Sequence, residues 1–231
     1  MTPGTRALGV AVSASDGAGA PEHATVAGAV VRRDRAVDGL SFSTCTVGGT
    51  DATDAVVDCW RRLDREDVRY LLVAGVAPAW FNVVDLAAVR AAVGRPVLAV
   101  SFEASAGLEP HLREHFAGEA LDRRLAAYRS LPDRLPVRLD DAADADATDG
   151  AGDDEPDLWV RAVGVDGAEA RRLVRAHTPA GRRRPEPLRV AKVAARAGRS
   201  YLDDPEPPGR GTPRAAAGTG RFTAAAGRVR V

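Results

Sequence analysis

Hydrophobic positions alternate early in the chain and become helical later. Residues 6–13 (Arg-Ala-Leu-Gly-Val-Ala-Val-Ser) predict a short buried strand, and 25–33 and 37–47 predict two more, joined by a hairpin turn around Arg33-Asp34-Arg35. Apolar side chains at Ala52, Ala55, Val56, Cys59, Trp60 and Leu63 then recur at three- and four-residue intervals, the spacing of an amphipathic helix. Tyr70-Leu-Leu-Val73 reads as a central strand, 74–80 as a loop, 83–93 as a short helix and 96–100 as another strand. Leu108, Leu112, Phe116, Leu121, Leu125 and Tyr128 predict a pair of helices broken near Gly118. A strand follows over 158–163, then helices over 167–177 and 187–197, the last bounded by Pro187 at its start and Gly198 at its end. This order of strands and helices predicts an α/β fold, a mixed sheet flanked by helices.

Composition changes the picture at the edges of that fold. The 231 residues are 45% hydrophobic and 28% charged, which fits a globular chain able to bury roughly 70% of its unfolded surface. Residues 140–157 carry nine acids and no basic or large apolar side chain, so burial cannot offset their ordering entropy and a disordered insertion is expected. A single domain is expected over 1–202 around that insertion, followed by a low-complexity basic tail over 203–231 whose last 24 residues hold five arginines and no acid. No apolar run approaches the roughly 20 residues of a spanning helix, and the first 20 residues lack a signal-peptide pattern, so the expectation is a cytoplasmic protein with no membrane contact. Cys45 and Cys59 are too few for a disulfide scaffold or a four-cysteine zinc site.

Net charge is zero, with 32 basic and 32 acidic residues, but Lys192 is the one lysine among them. Arginine dominance and abundant aspartate fit a GC-rich, halophilic source, although a balanced charge is less acidic than halophile proteins usually are. Phosphate-binding glycine loops, nucleophile elbows and the spacing of a zinc protease are all missing; His111 and His115 share a helical spacing with Glu114 misplaced between them.

Sites in sheets of this class lie beyond strand carboxyl ends, here expected at the ends of 6–13, 70–73 and 158–163. Two-metal phosphodiester cleavage would require carboxylates to converge there, yet those ends carry Ala11, Val12, Ala74 and Val165. Asp51, Asp54 and Asp85 are the nearby acids. Each has a structural alternative: Asp51 as N-cap of the 52–63 helix with Asp54 in its first turn, Asp85 in the first turn of the 83–93 helix with Asn82 as its cap. Arg182, Arg183, Arg184 and Arg189 form a basic cluster at a helix start that suits phosphate oxygens or a solvated loop. Trp80 and Phe81, beside Asn82, suit either base stacking or a place in the core for at least one of them.

Three segments together, Val47-Gly-Gly-Thr-Asp-Ala-Thr53, Trp80-Phe-Asn-Val-Val-Asp-Leu86 and Arg184-Pro-Glu-Pro-Leu-Arg-Val-Ala191, resemble an archaeal family also labelled endonuclease dU, a relative of endonuclease V. The resemblance spans roughly residues 5–198 apart from the acidic insertion. It implies a ribonuclease H-like fold and repair of DNA bearing deoxyuridine or deoxyinosine, assisted by Mg²⁺ or Mn²⁺, with RNA as a second possible substrate. It also implies aspartates where Ala11 or Val12 and Ala74 stand, and a histidine where Val165 stands; Asp51 lies near the position of a family glutamate. Two functions follow as expectations. One is an endonuclease using Asp51, Asp54 and Asp85, with Asp51 as metal ligand. The other is a non-catalytic nucleic-acid-binding protein that keeps the fold, the Trp80/Phe81/Asn82 loop and the arginines at 182, 183, 184 and 189.

Overall fold

The computed structural model describes residues 2–14, 22–104, 107–139 and 156–203. The tail beyond 203 and all but the last two residues of the acidic 140–157 segment lie outside the described residues.

Chain order begins with three strands, β1 (Arg6–Ser13), β2 (His23–Arg32) and β3 (Val37–Thr46), which form an antiparallel meander. Helix α1 (Ala52–Leu63), strand β4 (Val68–Ala74), the one-turn element α2 (Pro78–Phe81), helix α3 (Leu86–Val93) and strand β5 (Val97–Ser101) come next. Helices α4 (Glu109–His115) and α5 (Gly118–Arg129), strands β6 (Leu135–Val137) and β7 (Leu158–Val163), and helices α6 (Gly167–His177) and α7 (Glu186–Asp203) complete the fold. The seven strands form one mixed sheet in the order β3-β2-β1-β4-β5-β7-β6, the expected α/β architecture of a mixed sheet with flanking helices.

Strict alternation along the strands builds a core on each face. Leu8 and Val10 of β1, Val26 and Val30 of β2, and Leu71 and Val73 of β4 pack with Val56, Cys59 and Val89 from α1 and α3. Their neighbours point the other way: Ala7, Leu72, Leu98, Val100 and Val160 meet Ala170, Leu173 and Val174 of α6 and Leu188 of α7. Beneath α7 the sheet presents mostly small residues, with Ala11, Ala29 and Val31 against Ala191 and Ala27 against Ala194 and Ala195. Backbone therefore lies close to backbone, and a Cβ on Gly9 would stand 2.2 Å from the carbonyl carbon of Pro187.

Several boundaries differ from expectation for identifiable reasons. Helix α7 does not end at Gly198 but runs to Asp203, because Gly198 sits against Phe42 of β3, where a Cβ would come within 3.0 Å of the ring. Helix α3 begins at Leu86 rather than 83, since Asp85 is its N-cap. Strand β6 is three residues long and contains Pro136, so no alternation announces it. Strand β7 pairs antiparallel with β5, Ser101 opposite Trp159 and Val97 opposite Val163, which places the Val163–Val165 end at the sheet edge away from the carboxyl ends of β1, β4 and β5. The expectation that all three strand ends share one edge is corrected accordingly: Arg161 and Trp159 are nearer that edge than Val165.

Gly9→Ala should reduce the free energy of unfolding by about 3 kcal/mol, the upper range for overpacking a tight core. Urea denaturation checks this; a loss well below about 1 kcal/mol would show that α7 is not seated on β1 as described.

Candidate functional site

The loop between β3 and α1, the turn α2 and the start of α3 are joined through one side chain. Asn82 is fully buried. Its Oδ1 accepts from the Ala52 backbone N–H at 2.9 Å, while its Nδ2 donates to the Thr46 carbonyl at 2.9 Å and to Asp51 Oδ1 at 2.7 Å. The Asp51 carboxylate also accepts from the Thr46 backbone N–H, at 3.0 Å to each oxygen, and from Thr46 Oγ1 at 2.8 Å. Burial pushes the Asp51 carboxyl up, but these hydrogen bonds to the charged form outweigh it and hold the pKa below the usual aspartate value.

This arrangement corrects two capping assignments. Asp51 occupies the N-cap position of α1 but makes no side-chain capping bond; Asn82, 31 residues along the chain, receives the Ala52 N–H instead. Asn82 in turn does not cap α3, where Asp85 Oδ1 accepts from the Ala87 and Ala88 N–H groups at 2.9 Å each. The Asp85 backbone N–H is held by Thr53 Oγ1 at 2.9 Å. Asp54 lies exposed in the first turn of α1.

Turn α2 is wound left-handed, with φ of 47° at Ala79 and 59° at both Trp80 and Phe81. Three consecutive L-residues rarely adopt that conformation. Here Gly48 N–H donates to the Ala79 carbonyl and Asn82 N–H to the Pro78 carbonyl, at 2.8 and 3.1 Å. The consequence is that neither aromatic enters the core: Trp80 is 55% exposed and Phe81 half-buried, against the expectation of a core place for one of them. His115 lies 4.9 Å from the Trp80 ring and 5.5 Å from Phe81, and Phe116 adds an edge contact to Phe81. Arg124, nearly buried, lies 3.9 Å from the Phe116 centroid and donates to the Gly48 and Gly49 carbonyls.

Beside this aromatic turn, beyond the carboxyl ends of β1, β4 and β5, lies a chamber of about 590 Å³. Its walls include Val12, the Ala74–Pro78 segment, Ser101, Phe102 and Tyr128, and its charged lining is Arg134, Arg161, Arg184, Lys192 and Glu103. Three of the guanidinium groups stack on rings: Arg134 on Trp159 at 4.3 Å, Arg161 on Tyr128 at 5.4 Å and Arg184 on Phe102 at 4.2 Å. Backbone carbonyls fix them further, Glu103 for Arg134 and Pro132 for Arg161, while Lys192 Nζ donates to the Val12 carbonyl at 2.6 Å. Burial, reinforced by Arg161, lowers the pKa of Arg134, and burial with Arg196 lowers that of Arg184. Partial desolvation of these cations raises the benefit of an incoming anion.

The four arginines expected to act together are separated. Arg184 alone enters the chamber. Arg183 donates to the Asp157 carbonyl, Arg189 is bound by Glu186 at 2.6 Å, and Arg182 is exposed. Sequence reasoning passed over Arg134, Arg161 and Lys192; a lone arginine inside the apolar Leu158–Val163 strand and the single lysine of the chain were the available signals.

Nor do Asp51, Asp54 and Asp85 assemble a divalent-cation site. Hydrogen bonds to backbone and side-chain donors occupy both oxygens of Asp51, the α3 N-terminus takes Asp85, and the chamber at the strand ends is cationic. Among the described residues no group of three His, Cys, Asp or Glu side chains is placed to hold a metal ion. The described residues therefore do not fit the expected Mg²⁺ or Mn²⁺. Among the same residues, no helix is long and apolar enough to cross a membrane.

Comparison with known proteins gives this geometry a context. The family described as endonuclease dU matches residues 3–198. A UPF0215 protein of Pyrobaculum calidifontis is 32% identical over 178 residues, covering 77% of this chain and 89% of the relative. The crystal structure of a protein of unknown function from Archaeoglobus fulgidus superposes with a TM-score of 0.67 at 24% identity, covering 84% of this chain and 97% of the other. Endonuclease V of Ciona intestinalis, solved with a 24mer DNA containing an inosine followed by a ribo-adenosine, superposes with a TM-score of 0.52 at 12% identity, covering 86% and 87% of the two chains. These likenesses identify the fold as that of endonuclease V, as expected.

Asn82→Ala should cost about 3 kcal/mol, because it strands the Ala52 N–H and two partners of its amide in a buried place. The Asp51 pKa is depressed by folding, so its contribution is complete above the ordinary aspartate pKa near 4 and is lost as pH falls through the lower folded value. Acid titration of unfolding should accordingly show a shallower loss of stability below about pH 4 in Asn82→Ala than in the parent protein. Parallel acid limbs would contradict the hydrogen-bond origin of the shift.

Proposed function

The chain belongs to the endonuclease dU family, and from that premise we propose that it binds nucleic acid along the carboxyl edge of the sheet without cutting it through a two-metal site. Phosphate oxygens meet Arg161, Arg184 and Lys192, and an unstacked base rests on the exposed face of Trp80. The observation that carries this function is the cationic chamber, which stands where a metal-dependent nuclease of this architecture would need converging carboxylates. Arginine and lysine attract phosphate independently of sequence, and an aromatic face adds stacking energy of about 1–3 kcal/mol per base.

DNA is the preferred partner, with RNA the alternative polymer. Within DNA, a strand carrying deoxyuridine or deoxyinosine is the target to which the family description and the inosine-containing complex of the Ciona enzyme both point. A deaminated base pairs poorly and leaves the stack at lower cost, which favours its capture on Trp80.

Fluorescence anisotropy with single-stranded and duplex oligonucleotides, undamaged or bearing one deoxyuridine or deoxyinosine, tests the proposal. Binding should weaken steeply as salt rises, tighten with the deaminated base, and fall about tenfold in Trp80→Ala. Salt-independent or absent binding would overturn it. Cleavage of any of these strands in Mg²⁺ or Mn²⁺ would overturn the non-cleaving part.

A further inference from the structure

The charge and shape of the chamber point beyond a general affinity for nucleic-acid backbone, and this step rests on the nucleic-acid-binding function above. We propose that the chamber holds a terminal phosphomonoester of a nucleotide, with Arg161, Arg184 and Lys192 as its cationic contacts. A strand end and a free mononucleotide carry the same group, and both are tested below.

Charge is the first support. Four cationic side chains and one carboxylate, Glu103, line the space. An internal phosphodiester brings one negative charge, whereas a phosphomonoester brings between one and two near neutral pH and three terminal oxygens able to accept hydrogen bonds. Arg161 is held by the Pro132 carbonyl and the Tyr128 hydroxyl, and Arg184 by the Phe102 ring. Among the described residues neither lies within ion-pair distance of a carboxylate, so folding leaves both charges for a ligand.

Shape is the second. The chamber is bounded by the end of β1, the β4–α2 segment, the end of β5, Leu108 and Tyr128, and at about 590 Å³ it falls in the range of small-molecule sites. Arg161 and Arg184 are oriented by rings, and Arg161 also by a carbonyl, so little side-chain entropy remains to be lost on binding. Asp51, Asp54 and Asp85 do not line it. Pro78 lines the chamber, and the exposed Trp80 follows it by two residues, so the stacking surface stands on the segment that leaves the chamber wall.

The experiment uses the full chain and a 3′-labelled single-stranded oligonucleotide with either a 5′-phosphate or a 5′-hydroxyl, together with a 5′-labelled strand ending in a 3′-phosphate or 3′-hydroxyl. Deoxynucleoside monophosphate and the matching deoxynucleoside serve as competitors. At fixed salt, one phosphorylated end should bind at least tenfold more tightly than its hydroxyl counterpart, and Arg184→Gln should reduce that ratio to about two. Arg184→Gln keeps a side chain of similar reach, and its thermal unfolding midpoint confirms folding. Trp80→Ala should weaken phosphorylated and unphosphorylated strands alike and leave the ratio intact. Competition by the monophosphate but not the deoxynucleoside, without preference between strand ends, would support the phosphomonoester and identify a free nucleotide as its source. Equal affinity for phosphorylated and hydroxyl ends, with no competition by the monophosphate, would overturn the inference while leaving nucleic-acid binding standing. Failure of every strand to bind would overturn both.

Discussion

The buried amide of Asn82 is the junction on which the functional edge depends. One planar group satisfies the first N–H of α1, the last carbonyl of β3 and a carboxylate oxygen of Asp51. Three segments distant in sequence thus share one set of hydrogen bonds in a place without competing water, where each unmade bond is expensive. Two results follow. Asp51 becomes a structural acceptor whose oxygens are already engaged, and the chain entering Asn82 from Pro78 must turn outward, which presents Trp80 to solvent.

The electrostatic character of the edge follows from the direction of β7. Because β7 runs antiparallel to β5, its amino-terminal end, with Trp159 opposite Ser101, lies toward the carboxyl ends of the parallel strands, and Arg161 follows opposite Ala99 at the middle of β5. The α5–β6 loop brings Arg134 onto Trp159, the α6–α7 loop brings Arg184 over Phe102, and α7 brings Lys192 to the Val12 carbonyl. Cations from four separate chain segments therefore face a chamber where the family resemblance leads one to expect acids. Arg161 is oriented by a ring and a carbonyl and Arg184 by a ring, which fixes their geometry while leaving the charge less neutralised than a carboxylate partner would.

Much of the fold was legible because pattern and burial agree: β1, β2 and β5 are short apolar runs buried on both faces, and α1 repeats at helical spacing. The architecture and the family were readable from such segments together. The site was read less well. Arg134 and Arg161 join Arg184 only through pairing of β7 with β5, a long-range contact that local periodicity does not encode. Asn82 looked like the cap of the nearest helix, since the helix it serves begins 30 residues earlier. The arginines at 182, 183, 184 and 189 looked like one patch because they are close in sequence, but Glu186 and Asp157 divert two of them.

The left-handed turn at Ala79–Phe81 shows what the Asn82 junction sustains. Three L-residues at positive φ carry a conformational cost of about 1–2 kcal/mol each, more than a surface turn would retain without compensation. Gly48 and Asn82 supply that compensation through backbone bonds to Ala79 and Pro78, and Gly48, itself at φ of 72°, sits within 3.3 Å of the Trp80 ring by its would-be Cβ. Relaxed to a right-handed turn, the segment would lose both backbone bonds and point Trp80 elsewhere. Strain of this kind persists where a surrounding network over-determines the backbone. Its yield here is a large aromatic surface held at a fixed angle beside the cationic chamber, so a base and a phosphate of one ligand can be met with little reorganisation of the protein.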